Sequence, residues 1–470
     1  MLTATKNKIK TKVTHLLADT VTPVSIYLKV RDHFNNPVLL ESNDFRSREN
    51  CFSIIGLEPI AGFKVQQGEI TRAFTNGTTE TETILNPQSV VGELDAFIKS
   101  FEIEQEGEAP IVNGFLGHTS FEAVQYFDTL EYDLEKRVHE IPDINYQLYR
   151  FLIAVNHFKD ELFIIENLCE GQEPETEKVE TLLESQNFGT YKFHLEGEEA
   201  SNLTDEEFKK YVTLGKHHCQ VGDVFQIVLS RQFSQSFKGD EFNVYRILRS
   251  INPSPYLFYF DYGSYKIFGS SPEAQLVVTD GVASVNPIAG TYKRTGNDIE
   301  DAKNAKELLE DPKENAEHVM LVDLARNDLG RHTKNVRIKE LKEVQFFSHV
   351  IHLVSKVEGD LNKNTSSIQV FGDTFPAGTL SGAPKYKALE LIHKYENQLR
   401  GYYGGSIGFI DFNGNINQAI VIRSFLSKDN TLFSQSGAGI VVSSDEENEL
   451  QEVNNKLRAL KQALIKAEKL

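Results

Sequence analysis

The stretch VFQIVLSRQF, at residues 224–233, gives the first evidence on the fold. Apolar side chains occupy every second position from Phe225 to Leu229, and this period of two predicts a β-strand. A helix precedes the strand, because Thr204 followed three residues later by Glu207 forms a capping box. A helix and a strand therefore meet near the middle of the chain.

Outward from this point the chain mixes strands, glycine-rich turns and helices without a regular β-α-β alternation. No G-x-G-x-x-G sequence follows a strand, so a Rossmann fold is excluded. We therefore expect an α+β fold with large, mainly antiparallel sheets.

Towards the N-terminus, β-rich runs dominate. A helix is predicted after Asn86, with Pro87 in its first turn. Four runs predict strands, the last one a hairpin that turns near Gln67: VSIYLKV (24–30), VLLES (38–42), FSIIG (52–56) and FKVQQGEITRAF (63–74).

An acidic, turn-rich stretch at residues 170–202 is the best candidate for a domain boundary. We predict an N-terminal region at 1–170, a linker region at 171–202 and a C-terminal region at 203–470. The tetrapeptide LLES occurs at 39–42 and again at 182–185, where it reads as amphipathic helix.

The composition is that of a globular protein, with 470 residues, 40% of them hydrophobic and 25% charged. A net charge of -19 argues against broad binding to nucleic acid or to an anionic membrane, because the field repels phosphates. Three widely spaced cysteines form neither a disulfide framework nor a CxxC metal site, and no apolar run approaches the ~20 residues that span a bilayer. We expect a cytoplasmic protein.

Segments with unusual composition follow one another closely from residue 270 onward. They are SSPEA (270–274), PIAGTYKR (287–294), AEHVMLVDLARNDLG (316–330), HVIHLVS (349–355), FPAGTLSGAPK (375–385), YYGGSIGF (402–409), AIVIRSF (419–425) and SGAGIV (436–441). Their density places the chemistry in the C-terminal region.

Two predicted helices carry candidate carboxylates. Glu317 lies on a helix that is apolar nearly all round and that we expect to be buried, so its charge needs a cation or a salt bridge. Glu314 reads first as a capping residue. On the last helix, at 445–468, Glu449, Glu452 and Lys456 line one edge of the apolar stripe, where a solvated flank with an ion pair is the plainer interpretation.

Three further side chains stand out. Arg423 falls inside an apolar run that we read as a strand, where an arginine usually meets a carboxylate of the protein or of a ligand. Thr379 lies in a glycine-rich segment ahead of the helix that we expect at Pro384. His352 alone reads more simply as a core histidine.

Taken together and in this order, these segments resemble the chorismate-utilising enzymes, and most closely the large subunit of the anthranilate synthases. The resemblance runs from about residue 23 to the C-terminus. It implies a layered sandwich of two large sheets with outer helices and two intimately packed subdomains. It also implies Mg²⁺-dependent conversion of chorismate.

By matching motifs, Glu317 and Glu452 would be the Mg²⁺ ligands, supported by Glu314 and Glu449. Mg²⁺ prefers hard oxygen ligands and keeps several waters. The resemblance gives the following residues to substrate binding: Gly290, Thr291, Tyr403, Arg423, Gly437, Ala438 and Gly439 of an expected turn, and Lys456.

The resemblance also gives roles in catalysis. Glu273 would protonate the leaving C4 hydroxyl, His352 would take the C2 proton, and Thr379 would line the site. Ala289 stands where many aminodeoxychorismate synthases have a lysine. Gln226 stands where isochorismate and salicylate synthases have a lysine that activates water, and glutamine is a poor base. Aminodeoxychorismate synthase stays the main alternative, followed by isochorismate or salicylate synthase and by a catalytically silent regulator.

A tryptophan feedback site is implied as well. It would comprise Ser42 of the first LLES together with Asn252, Pro255, Tyr256 and Leu257 of NPSPYL. No cysteine lies in a G-x-C-x-G nucleophile turn, so use of glutamine implies a separate glutamine amidotransferase subunit, component II.

Overall fold

A computed structural model describes residues 7–42, 51–109, 111, 113–347 and 350–470, together with all their side chains except that of Thr291. Eleven α-helices lie in these residues. They are α1 (Pro23–Val30), α2 (Val90–Lys99), α3 (Thr176–Glu184), α4 (Asp205–Gln220), α5 (Phe242–Ile251), α6 (Asp298–Glu310), α7 (Pro312–Gly330), α8 (Ser367–Thr374), α9 (Gly378–Ser381), α10 (Lys385–Tyr395) and α11 (Glu446–Ala467).

Twenty-three strands lie in the same described residues. The first ten are β1 (Asn7–Leu17), β2 (Val38–Ser42), β3 (Phe52–Gln66), β4 (Glu69–Ala73), β5 (Thr79–Thr83), β6 (Phe101–Glu106), β7 (Gly114–Thr119), β8 (Ile144–Asn156), β9 (Glu161–Leu168) and β10 (Phe193–Ser201). The others are β11 (Gln226–Gly239), β12 (Tyr256–Asp261), β13 (Lys266–Ser271), β14 (Ala274–Thr279), β15 (Val282–Val285), β16 (Ile288–Lys293), β17 (Thr333–Phe346), β18 (Val350–Leu361), β19 (Gly382–Ala383), β20 (Ser406–Asp411), β21 (Ile416–Ile420), β22 (Ser424–Lys428) and β23 (Thr431–Ile440).

The long strands β3 and β8 belong to two sheets at once. The first half of β3 and the second half of β8 belong to one sheet. That sheet continues through β2, β12, β13, β22, β23 and β11 on one side and through β9 and β1 on the other. The first half of β8, paired with the second half of β3, continues into a second sheet through β7, β20, β21, β14, β15 and β18. Among the described strands only β1 and β6 pair in parallel. The predicted α+β fold with large, mainly antiparallel sheets is confirmed.

The predicted N-terminal and C-terminal regions share these two sheets. Strand β2 pairs with β12, and β7 pairs with β20, so N-terminal strands complete both sheets of the C-terminal half. The acidic stretch at 170–202 contains α3 and β10, and β10 pairs with β11. The division into three regions stays a prediction.

Two helices carry the acidic side chains of the site. Helix α7 packs on β16, β17 and β18, and α11 packs on α4, α5 and β23. Asp311 caps α7, and Asp445 caps α11, which confirms the predicted start of the last helix. The expectation that α7 is buried all round is wrong, because Val319 on its outer face is 48% exposed.

Residues 24–30 form a helix, so the strand predicted there is wrong. Thr22 and Ser25 form a capping box, and Pro23 fits the first turn, so the helix start is strong enough to override the β-rich composition. The other strands predicted before residue 75 are confirmed, with 52–56 and 63–66 joined in the single strand β3. No described helix combines the length and the apolar character needed to cross a membrane.

Candidate active site

The predicted site residues come together where β11, β16, β18 and β23 meet α7, α9 and α11. Direct contacts link them in pairs. Thr379 Oγ1 donates to Glu273 Oε1 over 3.1 Å, and Gln226 Nε2 donates to Glu317 Oε1 over 3.1 Å. Lys456 Nζ donates to the Gly437 carbonyl over 3.0 Å. The positive charge of Lys456 also lowers the pKa of Glu273 and that of Glu317, so these contacts belong to one site.

Glu273 is a buried carboxyl in the connection between β13 and β14. Its own carbonyl accepts from the Ile420 amide over 3.0 Å, which fixes the backbone there. Burial raises the pKa of the Glu273 carboxyl to about 8, although the Thr379 hydroxyl and the charges of Arg423 and Lys456 oppose the rise. Glu273 is therefore protonated at neutral pH and can donate a proton.

His352 lies on β18, opposite Thr291 of β16. Its Nδ1 lies 3.0 Å from the carbonyl oxygen of Gly290, where β16 bulges and Gly290 has a φ of +79°. A carbonyl only accepts hydrogen bonds, so Nδ1 carries the ring proton and Nε2 is the basic nitrogen. Burial lowers the pKa of His352 to about 4, so the imidazole is neutral near pH 7 and able to accept a proton.

Arg423 lies between β21 and β22 with a φ of +50°, so the prediction that it sits inside a strand is wrong. Burial lowers the pKa of its guanidinium. No carboxylate of the described residues lies within ion-pair distance of Arg423, and Glu273 is the acidic group that acts on its pKa when ionised. An arginine in this state suits a planar carboxylate of a ligand.

Gly437, Ala438 and Gly439 lie inside β23, paired with β11, and the turn predicted there is wrong. Ala438 is fully buried. Gly439 permits a close approach, since a Cβ on it would lie 2.5 Å from Gln226 Nε2. Gly439 therefore makes room for the Gln226 side chain, whereas Gly437 leaves room for the neighbouring β11 backbone, since a Cβ on it would lie 2.9 Å from the Leu229 carbonyl oxygen. Tyr403 adjoins the same strand. Burial raises the pKa of its hydroxyl, and a hydrogen bond with the Gly437 backbone opposes the rise.

Carboxylates crowd the side of the site formed by α7 and α11. Burial and the charges of Glu314 and Glu452 raise the pKa of Glu317, and burial followed by the charge of Glu452 raises the pKa of Glu449. Buried Glu449 Oε2 has no hydrogen-bond partner. Lys456 pairs with Glu452 over 2.6 Å and offsets part of this charge. The donor set of hard carboxylate oxygens with uncompensated charge suits a hard divalent cation.

The protein alone does not complete such a site. In the part of the chain that the structure describes, no three His, Cys, Asp or Glu side chains converge closely enough to hold a metal ion. Two glutamates that leave the other positions to water and to a ligand carboxylate match the usual coordination of Mg²⁺, which keeps several waters.

Comparison with known proteins decides the family. Residues 41–462 match the model of the chorismate binding enzymes. The chain belongs to the chorismate binding enzyme family. It is 36% identical to anthranilate synthase component 1 of Aquifex aeolicus, a match covering 97% of this chain and 94% of that protein.

Solved structures of chorismate binding enzymes share the fold. Anthranilate synthase component I from Streptococcus pneumoniae TIGR4 superposes with a TM-score of 0.76 at 30% identity, covering 95% of this chain and 99% of that one. The menaquinone-specific isochorismate synthase from Escherichia coli superposes with a TM-score of 0.73 at 18% identity, covering 98% and 96%, and shows the fold alone. The predicted resemblance to the anthranilate synthase large subunit is confirmed.

The residues predicted to bind tryptophan lie around the pairing of β2 with β12. Ser42 stands opposite Tyr256, so both side chains share one face of the sheet. Leu257 stands opposite Glu41 on the other face and is fully buried. Asn252 ends α5, its Nδ2 buried without a partner, and Pro255 follows three residues later. Their role in this chorismate binding enzyme stays a prediction. Ser185 lies at the end of α3, as expected for the second LLES.

The sequence analysis missed the buried pair of Arg400 and Glu396. Arg400 donates to the carbonyls of Leu380 and Val228, each over 2.7 Å, and to Glu396 over 2.7 Å. Arg400, which lies just before the YYGG segment, thereby holds the residue after Thr379 against β11. The signal was an arginine directly before that segment, in QLRGYYGG.

Proposed function

We propose that this chain is the chorismate-converting subunit of an anthranilate synthase, forming anthranilate and pyruvate from chorismate and ammonia. The observation that carries the proposal is the state of Gln226. Its Nε2 donates to Glu317, and its buried Oε1 has no hydrogen-bond partner. An amide cannot deprotonate water, but its oxygen can accept from an N–H of incoming ammonia. Ala289 supplies no nucleophile.

The substrate would lie between a cationic side and the carboxylate side of the site. Arg423 would bind the enolpyruvyl carboxylate through two parallel hydrogen bonds, next to Tyr403. Glu317 and Glu452 would hold Mg²⁺ against the ring carboxylate. When bound, the cation neutralises the acidic pocket and fixes the ring.

The first stage needs an acid. Ammonia adds at C2 while the C4 hydroxyl leaves, and hydroxide is a poor leaving group unless it is protonated. Glu273, neutral near pH 7, gives its proton to this oxygen, so water departs. Thr379 orients the carboxyl through its hydrogen bond.

The second stage needs a base. The neutral imidazole of His352 takes the C2 proton through Nε2, while Nδ1 stays bonded to the Gly290 carbonyl. The C–O bond to the enolpyruvyl group breaks, pyruvate leaves, and the ring becomes aromatic. Burial of His352 favours this role, because it keeps the imidazole unprotonated until the step occurs.

We also propose that a glutamine amidotransferase subunit supplies the ammonia and that tryptophan inhibits the enzyme. The names of the relatives, component 1, support a partner component. Ser42 opposite Tyr256 supports the tryptophan site, since a hydroxyl and an aromatic ring share one face there. The three widely spaced cysteines, which give no disulfide framework, fit a cytoplasmic location.

The decisive experiment is incubation of the purified chain with chorismate, Mg²⁺ and ammonium, followed by chromatography of the products. Anthranilate with equimolar pyruvate supports the proposal. A 4-amino product assigns the chain to aminodeoxychorismate synthesis, and isochorismate or salicylate assigns it to water addition. Unchanged chorismate with intact protein shows a silent regulator.

A further inference from the structure

A small cavity of about 30 Å³ lies against the acid Glu273. Its walls come from the start of β14, from α7 and from the segment leading into α9. Of the described residues, the walls include neither Arg423 nor His352 nor Tyr403, so this space is separate from the cationic side of the site. The polar residues in its walls are Glu273, Gln275, Asp328, Thr374 and Thr379.

The size and polarity of the cavity suit water. One ordered water needs about 10–15 Å³ of such space and two to four polar partners, so this volume accommodates about two waters. Gln275 Nε2 donates to Thr374 Oγ1 over 3.3 Å, and Thr379 already bonds Glu273. Hydroxyls and carboxyls therefore bound the space between Glu273 and Asp328.

Asp328 on α7 is the second carboxyl in the wall of this cavity. Lys385 Nζ donates to Asp328 Oδ2 over 2.7 Å and to the Thr374 carbonyl over 2.8 Å, which fixes the carboxyl in place. Asp328 is 7% exposed. Besides Lys385, the charge of Arg331 lowers the pKa of Asp328 and the charge of Asp373 raises it. The charges of Arg423 and Lys456 lower the pKa of Glu273.

This inference rests on the proposed function, in which Glu273 loses one proton in every turnover. While substrate or product occupies the cationic side of the site, the cavity offers Glu273 a separate path for the return of its proton. We propose that Asp328 is a positioning residue for a water chain in this cavity, through which a proton returns from solvent to Glu273. One O–H bond breaks and one forms at each oxygen along the chain, and solvent reprotonates Asp328.

The test compares the Asp328→Asn variant with wild type and with a matched Asp143→Asn control. Asp143 is likewise a buried aspartate, paired with Arg137 over 2.8 Å, and does not line the cavity. We expect Asp328→Asn to lower kcat about ten-fold or more with little change in KM, since relayed proton transfer becomes limiting. Its solvent deuterium isotope effect on kcat should exceed that of wild type, and added weak-acid buffer should restore its rate. The control should match wild type.

A second variant fills the cavity without touching a charge. Ala325 lines it, and Ala325→Leu would displace water, so kcat should fall with the same increase in the isotope effect. Melting temperatures show whether each variant is folded. Wild-type kcat and isotope effect in both variants would overturn the inference, as would a loss of kcat that buffer does not restore and that leaves the isotope effect unchanged. Failure of the wild type itself to convert chorismate would instead overturn the proposed function.

Discussion

Replacing Glu273 with glutamine should remove activity and at the same time stabilise the protein. In wild type, burial keeps this carboxyl protonated up to a pKa of about 8. The kcat measured at a fixed concentration of unprotonated ammonia should therefore decline as the pH rises through about 8. Glutamine keeps the shape and the oxygen that accepts from Thr379 but cannot donate the catalytic proton, so turnover should drop by about 10²–10⁴.

The gain in stability follows from the same pKa. The pKa of the carboxyl is 4.5, its ordinary value, in the unfolded chain and about 8 in the folded protein, so between these values only the folded state holds the proton. Stability then falls as pH rises through this window, by about 1.4 kcal/mol per pH unit. Near pH 7 the loss is about 3 kcal/mol, and glutamine avoids it. For a chain of 470 residues this corresponds to a rise in melting temperature of about 3 °C.

The assay pairs activity with thermal unfolding of wild type and Glu273→Gln near pH 5 and near pH 7. The variant should be more stable near pH 7, and the difference should shrink to about 1 kcal/mol near pH 5, where the unfolded carboxyl begins to bind its proton. Asp373→Asn, another buried carboxyl outside the site, is the control for a general effect of removing charge. A stability gain that does not depend on pH would refute the reasoning, as would full activity of the variant.

Other predictions concern the base, the metal, the nitrogen source and feedback. His352→Ala should impair pyruvate release more than amine addition, so that an aminated intermediate accumulates, detectable by chromatography after quenching. Glu317→Gln and Glu452→Gln should each abolish turnover in folded protein, as EDTA should in wild type; an active variant removes that residue from the metal site. The isolated chain should form anthranilate from ammonium and not from glutamine, as product chromatography will show. Ser42→Ala should weaken tryptophan inhibition about ten- to a hundred-fold at unchanged uninhibited turnover, because a hydrogen-bond partner of the bound tryptophan is lost; Ser185→Ala, titrated in parallel, should behave as wild type.

Local signals predicted much of the fold. The capping box at Thr204, the hairpin at Gln67 and the apolar stripe of α11 all depend on residues a few positions apart, and all are present. The prediction of a strand at 24–30 was wrong because two local signals conflicted there. The β-rich composition favoured a strand, but the helix start at Thr22 prevailed. The sharing of β3 and β8 between two sheets depends on pairing between distant segments, which no local pattern encodes.

The candidate site was predicted as a set of residue types and not as a set of protonation states. Matching motifs named Glu273 and His352, but their opposite pKa shifts arise from burial by segments distant in sequence. Asp328 lies near the end of one quoted motif and Lys385 ends another, and neither had an assigned role until the structure placed Asp328 in the wall of the cavity beside Glu273. Arg423 was named correctly but placed wrongly, because an apolar run does not reveal where one strand ends and the next begins.

Burial of the two proton-transfer groups also bears on the choice between ammonia and water. Water is present in large excess, but it attacks well only after a base removes a proton. Gln226 cannot serve as that base, and its Nε2 is held by Glu317. Ammonia needs no such help, because its lone pair is nucleophilic as soon as the molecule is neutral. In the proposed reaction a neutral Glu273 would activate the leaving group, while the amide of Gln226 would leave water inactive, so the site would select the amine by omitting a base. Gln226→Lys should therefore introduce water addition, seen as an isochorismate-like product when ammonium is absent. Continued dependence on ammonium in that folded variant would show that selection against water lies elsewhere.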